Sequence, residues 1–100
     1  CPVEATLDLI GGKWKGVILY HLAAGTLRFG ELQRRLGGIT PRMLTRQLRE
    51  LEADGLILRT VHPVVPPHVD YALTADGESL RPVIAALYDW GRARQEKAAA

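Results

Sequence analysis

The sequence predicts a mainly α-helical domain with a small β-hairpin, in the order of a winged helix-turn-helix. Three observations support this fold class. A short helical segment, a tight glycine turn and a sharply delimited helix follow one another between Phe29 and Gly55. Two extended segments joined by a proline-rich turn come next, and a long segment with a helical apolar stripe ends the chain. We therefore expect a three-helix core, a wing and a long C-terminal helix.

The first part of the chain predicts three helices and one short extended segment. The segments "VEATLDLI" and "KWKGVILYHLAAG" have apolar residues at helical spacing and are separated by two glycines. "TLRF" is predicted to be a brief extended bridge, and "FGELQRRLGG" a third, short helix. Val3, Leu7 and Ile10 form the apolar side of the first helix, and the residues expected to point inward from the next two are Trp14, Val17, Ile18, Leu22, Phe29, Leu32 and Leu36.

The segment "ITPRMLTRQLRELEADGLILR", residues 39–59, predicts the helix with the sharpest limits. Thr40 suits an N-cap, Pro41 the first helical position, and Gly55 the left-handed residue that ends a helix. One side is predicted to be an apolar stripe of Leu44, Leu48 and Leu51. Arg42 and Arg46 lie almost opposite that stripe, and the acids come only in the last turn, which opposes the helix dipole. An anionic partner at the N-terminal end would account for this order of charges.

The last part of the chain predicts a hairpin and a long helix. "HPVVPP" is too rich in proline for a strand interior, so it is expected to form a stiff, protruding tip between two alternating segments. The final helix is expected to begin at Thr74 as its N-cap, and Pro82 to kink it or delay its regular part. Its apolar stripe is predicted to consist of Leu80, Val83, Ile84, Leu87, Trp90 and Gly91.

Length and composition predict one domain, residues 1–100, with a modest core. The chain begins at Cys1 without a methionine, so we expect a trimmed fragment whose upstream residues are missing. No segment is long and apolar enough to span a membrane, and no secretory signal is visible. A single cysteine excludes an internal disulfide framework and points to a reducing compartment such as the cytoplasm.

Positive charge is concentrated in one region of the chain. The net charge is only +2, but residues 28–49 contain six arginines and one acid, Glu31, for a net charge of +5. Such a concentration is typical of a phosphate-binding surface, and a solvated surface is the alternative. In a winged helix-turn-helix the second helix of the pair enters the major groove, and the wing reaches the backbone or the minor groove. We therefore predict double-stranded DNA as the partner.

The candidate DNA contacts lie on this helix, on the helix before it and on the wing. Arg42 and Arg46 are expected to reach base edges, with phosphate contact as the alternative. Gln47 is a weaker candidate for adenine, and Met43 for a thymine methyl group or for packing. Of Arg34 and Arg35, one is expected to contact a phosphate and the other to be solvated, and the remaining candidates for backbone contact are Thr40, Arg49 and Arg59. For His62 and His68 on the wing, an ordinary surface role is favoured.

Five motifs together resemble the HxlR-type winged helix-turn-helix regulators of bacteria, relatives of the MarR group. They are "GGKW", "RFGEL", "LTRQLRELEADGLI", "YALT" and "LYDWG", and the resemblance covers residues 1–92. It implies a homodimeric transcription factor of the bacterial cytoplasm, associated with the nucleoid. A twofold dimer would present two recognition helices one turn of DNA apart, so we expect a pseudo-palindromic operator.

The resemblance also implies dimer contacts from the first and last helices and a role for the cysteine. The dimer candidates are Leu7, Leu80, Ile84, Leu87 and Trp90, with packing inside the chain as the alternative. Several members of that family use a cysteine before a proline, the position of Cys1 here, to sense electrophiles or oxidants. A helix N-terminus stabilises a thiolate, Lys13 or Lys15 could approach it, and oxidation or alkylation could follow. The alternative for Cys1 is a small buried hydrophobic residue.

Other classes of function have less support in the sequence. The three histidines are in no recognisable catalytic motif, and no phosphate-binding glycine loop is present, so we predict no enzyme and no cofactor. No ligand pair shows the spacing of a metal site, so no metal is predicted. The alternatives that stay open are a winged-helix protein-interaction module and a small-molecule-responsive regulator without cysteine sensing.

Overall fold

The fold was obtained as a computed structural model, which describes residues 1–99. In chain order these residues form α1 (Pro2–Ile10), α2 (Lys15–Leu22), β1 (Leu27–Arg28), α3 (Phe29–Leu36), α4 (Pro41–Ala53), β2 (Ile57–His62), β3 (His68–Leu73), α5 (Ala75–Ser79) and α6 (Arg81–Ala99). This order confirms the predicted winged helix-turn-helix. Ala100, the last residue of the predicted domain, lies outside the described residues.

The strands form one antiparallel sheet in the order β1-β3-β2. β2 and β3 are the two sides of the wing, and their register pairs Ile57 with Leu73 at the base and His62 with His68 at the tip. β1 pairs Leu27 with Tyr71 on the other edge of β3. The wing is therefore anchored to the segment that connects α2 with α3.

The core is formed by apolar side chains of the helices and of the base of the wing. α4 contributes its predicted leucine stripe, which is fully buried. The buried set is Ile10, Ile18, Leu19, Leu22, Leu27, Leu32, Leu36, Ile39, Leu44, Leu48, Leu51, Leu56, Ile57, Tyr71 and Ile84. Trp14 and Phe29 pack against it and are partly buried.

One predicted core position, that of Val17, is wrong. Val3, Leu7 and Val17 are exposed, and Leu19 takes the inward position on α2 that was assigned to Val17. The reason on α2 is that this helix is apolar on several sides, so apolar spacing alone does not fix which side faces inward. On α1, only Ile10 at the C-terminal end is buried.

A break at Leu80 separates the last two helices, as the position of Pro82 led us to expect. The Thr74 side chain accepts a hydrogen bond from the Gly77 N–H (3.1 Å) and caps α5. The Thr74 hydroxyl also donates to the Gly55 carbonyl (2.6 Å), which ties the start of α5 to the end of α4. No helix among residues 1–99 has the combination of length and apolar character needed to cross a membrane.

Candidate nucleic-acid interface

The ends of α4 are fixed by local sequence. The Thr40 hydroxyl accepts a hydrogen bond from the Met43 N–H (3.1 Å), and Pro41 occupies the first turn. Beyond the other end, Gly55 has a φ of +76°, a left-handed conformation that glycine adopts without strain. The predicted start and stop signals of α4 are therefore both confirmed. The start signal fixes the residue at which the exposed N-terminal turn begins.

The outward side of α4 is formed by arginines. Because the leucine stripe is buried, the residues opposite to it must face solvent. Arg42, Arg46 and Arg49 are all exposed, and with Pro41 and Thr45 they line a shallow groove of about 510 Å³. The guanidinium groups thus lie on a projecting surface that a duplex can approach.

An ion-pair network crosses the C-terminal half of α4. Glu50 Oε2 lies 3.0 Å from the Lys15 ammonium, and its Oε1 lies 3.5 Å from Arg46 Nε. The Lys15 hydrogen bond, with a smaller contribution from Arg46, lowers the pKa of the Glu50 carboxyl. This acid therefore has a structural reason for its place in the helix: it connects α4 to α2 and holds Arg46 from one side.

A second concave surface lies between α4 and the wing. Arg49 and Arg59 both line this depression of about 480 Å³, together with Thr45, Val69 and Tyr71. A guanidinium from the helix and one from the wing thus share a single surface. The depression therefore brings together charged side chains of two elements, with Glu52 also in its lining.

The two arginines of α3 do not share one surface. Arg35 lines a groove between α2 and α6 with His21 and Tyr88, and this groove includes no residue of α4. Burial, and then the charge of Arg35, lower the pKa of His21. Arg34 is exposed and lines none of the surfaces described above for α4. The structure therefore associates Arg35 with α6 rather than with the recognition helix.

Met43 and Gln47 are less available than the arginines. Both are partly buried, and Gln47 Nε2 donates to Met43 Sδ at 3.4 Å. Met43 also packs against the core. This contact favours the packing alternative for Met43 and occupies a donor that Gln47 would need for adenine.

Large apolar side chains are exposed on α1 and on α6. Leu7 is 56% exposed, Leu87 54% and Trp90 72%, although all three are large apolar residues. Of the other predicted dimer residues, Ile84 is only 6% exposed and belongs to the core, and Leu80 packs against that core. Ile84 is thus corrected from an interface residue to a core residue, because this side of α6 lies on α2.

Cys1 is an exposed thiol at the N-cap of α1. Among the described residues the thiol is thus not packed in the core. The Lys15 ammonium is bound to Glu50, and the Lys13 ammonium lies 4.8 Å from the Trp14 ring centroid, over its face. Both lysines thus make these contacts, and neither makes the predicted contact with the Cys1 thiol.

A cluster that the sequence analysis did not identify lies on the wing. The ligand atoms of His62, His68 and Asp70 all lie within 4.8 Å of one another. The two histidines are six positions apart, with five residues between them, a spacing within the range of zinc-ligand histidine pairs that the sequence analysis missed, and the hairpin register places them directly opposite each other. Counting outward from the base of the hairpin could have revealed this pair.

Comparisons with known proteins agree with this geometry. The model of the HxlR-like helix-turn-helix family matches residues 9–99. The HTH-type transcriptional regulator YdeP of Bacillus subtilis is 56% identical over 97 residues, which are 97% of this chain and 76% of YdeP. These relatives are transcriptional regulators rather than enzymes, as the sequence predicted.

Two solved structures of one redox regulator are also similar. HypR in its reduced form has a TM-score of 0.92 and 50% identity, covering 98% of this chain and 97% of that one. HypR in its oxidised form has a TM-score of 0.89 and 54% identity, covering 93% and 96%.

Proposed function

The chain belongs to the HxlR-like helix-turn-helix family of DNA-binding transcriptional regulators, and from this premise we propose that it binds a pseudo-palindromic operator as a homodimer. The observation that carries the proposal is the outward arginine side of α4. Arg42 and Arg46 lie in the N-terminal half of this helix. At that end, the helix dipole and the free N–H groups also favour an anion.

Within this proposal the arginines divide into two groups. Arg42 and Arg46 read base edges in the major groove, where a bidentate arginine contact with guanine contributes about 1–3 kcal/mol of discrimination. Arg49 and Arg59, which line the depression between α4 and the wing, contact phosphates. Thr40 at the N-cap of α4 and the exposed Arg34 of α3 are further backbone contacts in this proposal.

The homodimer is supported by the exposed apolar side chains of α1 and of α6. Leu87 and Trp90 are three positions apart and share a side of α6, and Val3 and Leu7 are four apart on α1. Large apolar side chains exposed together on one surface typically mark an interface. A twofold dimer built on these side chains would place its two α4 helices on successive major grooves, about 34–36 Å apart.

We also propose that the regulator responds to oxidants or electrophiles through Cys1. Its thiol is exposed, and the similar regulator HypR is a redox regulator with reduced and oxidised forms. Two routes follow from a single cysteine in this chain. Two Cys1 thiols of a dimer can lose two electrons and two protons to form an intersubunit disulfide, or one thiol can form a mixed disulfide or be alkylated.

A small-molecule response is the second candidate, and one observation favours it. The groove between α2 and α6 has a volume of about 580 Å³, in the range of ligand pockets. Tyr20 and Tyr88 stack beside it with ring centroids 5.2 Å apart. A ligand there would contact both the helix that supports the DNA-binding core and the helix proposed for the dimer.

Residues 1–100 act as a single DNA-binding domain, and the protein works in the bacterial cytoplasm at the nucleoid. A winged-helix module for protein interaction would not need the outward arginines of α4, so these arginines are the feature that separates the two classes.

The direct experiment is selection of duplex DNA from a random library on the purified chain, reduced and diamide-treated in parallel. We expect an inverted repeat whose half-sites are about 10–10.5 base pairs apart, enriched only on the reduced protein. Equal enrichment of the repeat on the reduced and on the diamide-treated protein would contradict the proposed redox response. Selected sequences indistinguishable from the input library would contradict operator binding.

A further inference from the structure

Three side chains with metal-binding atoms converge on one side of the wing, near its tip. They are His62 at the end of β2, and His68 and Asp70 at the start of β3. His62 Nε2 lies 2.7 Å from Asp70 Oδ2, and His68 Nε2 lies 3.9 Å from Asp70 Oδ1. The two imidazole rings stack with centroids 4.4 Å apart.

The backbone of the hairpin brings these residues together. His62 pairs with His68 in the register, so their side chains leave the same side of the sheet and begin about 4.5–5.5 Å apart. Asp70 is two residues from His68 along β3 and therefore points to that same side. Residues 63–67 close the hairpin with three prolines, which restrict the turn that fixes this register.

We propose that His62, His68 and Asp70 bind a divalent first-row transition metal, with Zn²⁺ as the best match. Two imidazole nitrogens and one carboxylate oxygen are the donor set of zinc sites that keep a coordination position open. Imidazole also binds copper and nickel well, whereas magnesium and calcium prefer oxygen ligands. This donor set therefore selects a class of ion.

The cluster requires only small side-chain movements to coordinate an ion. Donors of a tetrahedral zinc site lie about 3.3 Å apart, because each is about 2.0–2.1 Å from the metal. The contact between His68 and Asp70 must shorten from 3.9 Å, and that between His62 and Asp70 must lengthen from 2.7 Å. All three side chains are half-buried, so solvent can reach the site and supply the fourth ligand.

The site is distinct from the arginine surface. Val69 and Tyr71, the neighbours of Asp70 on β3, line the depression beside α4, so His68 and Asp70 point away from it. By register, Arg28 on β1 stands opposite Asp70, so its side chain leaves the same side of the sheet. A bound ion would connect β2 to β3 and stabilise the tip of the wing.

To test this, the chain without a histidine tag is titrated with Zn²⁺ and binding is followed by calorimetry. It is also titrated with Co²⁺, and binding is followed by the visible absorption of the bound ion. Both titrations are made without DNA. We expect one equivalent to bind, and His68→Ala and Asp70→Asn to weaken binding by at least about 10–100-fold, the loss typical even for outer-shell partners. His21→Gln is the matched control, since it removes one imidazole outside the cluster, and it should bind the metal as the wild type does.

A second measurement does not depend on variants that fold. In an NMR titration with Zn²⁺, the imidazole resonances of His62 and His68 should shift together while those of His21 stay unchanged. Absence of binding at millimolar metal, equal binding by His68→Ala, or shifts confined to His21 would each overturn the proposal. Because no DNA is present, none of these results depends on the proposed operator binding.

Discussion

Replacing Trp90 with alanine is expected to convert the dimer into a monomer. A tryptophan side chain offers up to about 250 Å² of surface, so the 72% exposed at Trp90 leaves roughly 180 Å² for a partner to cover. If half of that area is buried, at about 25 cal/mol per Å², each tryptophan contributes about 2 kcal/mol. A twofold interface loses this contribution twice, which raises the dimer dissociation constant by a factor of about 1,000.

The assay is analytical ultracentrifugation over a range of concentrations, with a monomer mass of 11.0 kDa as the reference. Leu58→Ala is the matched control, because Leu58 is also a large, exposed apolar residue but lies on the wing. We expect this variant to keep the wild-type dissociation constant. An unchanged constant for Trp90→Ala, with its fold confirmed by circular dichroism, would refute the interface on α6.

The other predictions concern DNA contact, oxidation and pH. Arg46→Ala should weaken binding to the operator more than binding to random DNA, whereas Arg94→Ala, the same change on α6, should weaken neither; equal losses on both DNAs would make Arg46 a phosphate contact. Diamide should release the wild type from DNA but not Cys1→Ser, and a wild type that stays bound would remove the sensor. Burial lowers the pKa of His21, so below about pH 6.5 the folded chain binds fewer protons at this residue than the unfolded chain does. The free energy of unfolding should therefore fall as the pH falls. In denaturant titrations between about pH 7.5 and about pH 5.5, the free energy of unfolding of His21→Gln should fall less steeply than that of the wild type. Parallel curves of unfolding free energy against pH would contradict this.

The sequence predicted best where local signals are strong. Thr40, Pro41 and Gly55 act within one or two turns of α4, and each is where the structure requires it. The proline-rich tip likewise fixed the limits of the wing. On α4, three leucines lie on one side and arginines on the opposite side. This pattern predicted which side faces the core and therefore which side forms the exposed candidate surface.

The failures came from contacts between distant parts of the chain. α2 is apolar on several sides, so the choice between Val17 and Leu19 depends on which side α3 and α6 cover. Ile84 and Trp90 belong to one predicted stripe, but only the N-terminal part of α6 lies on α2, so one is core and the other exposed. The ion pair between Lys15 and Glu50 joins residues 35 positions apart, and no local pattern contains it.

The salt dependence of operator affinity is the measurement that tests the central claim most directly. If Arg49 and Arg59 of both protomers contact phosphates, four phosphates are neutralised, and the slope of log affinity against log salt should be about −3.6 or steeper. The double variant Arg49→Ala/Arg59→Ala should bring that slope toward zero, while Arg94→Ala should leave it unchanged. A wild-type slope near zero would contradict the assignment of this arginine surface to DNA.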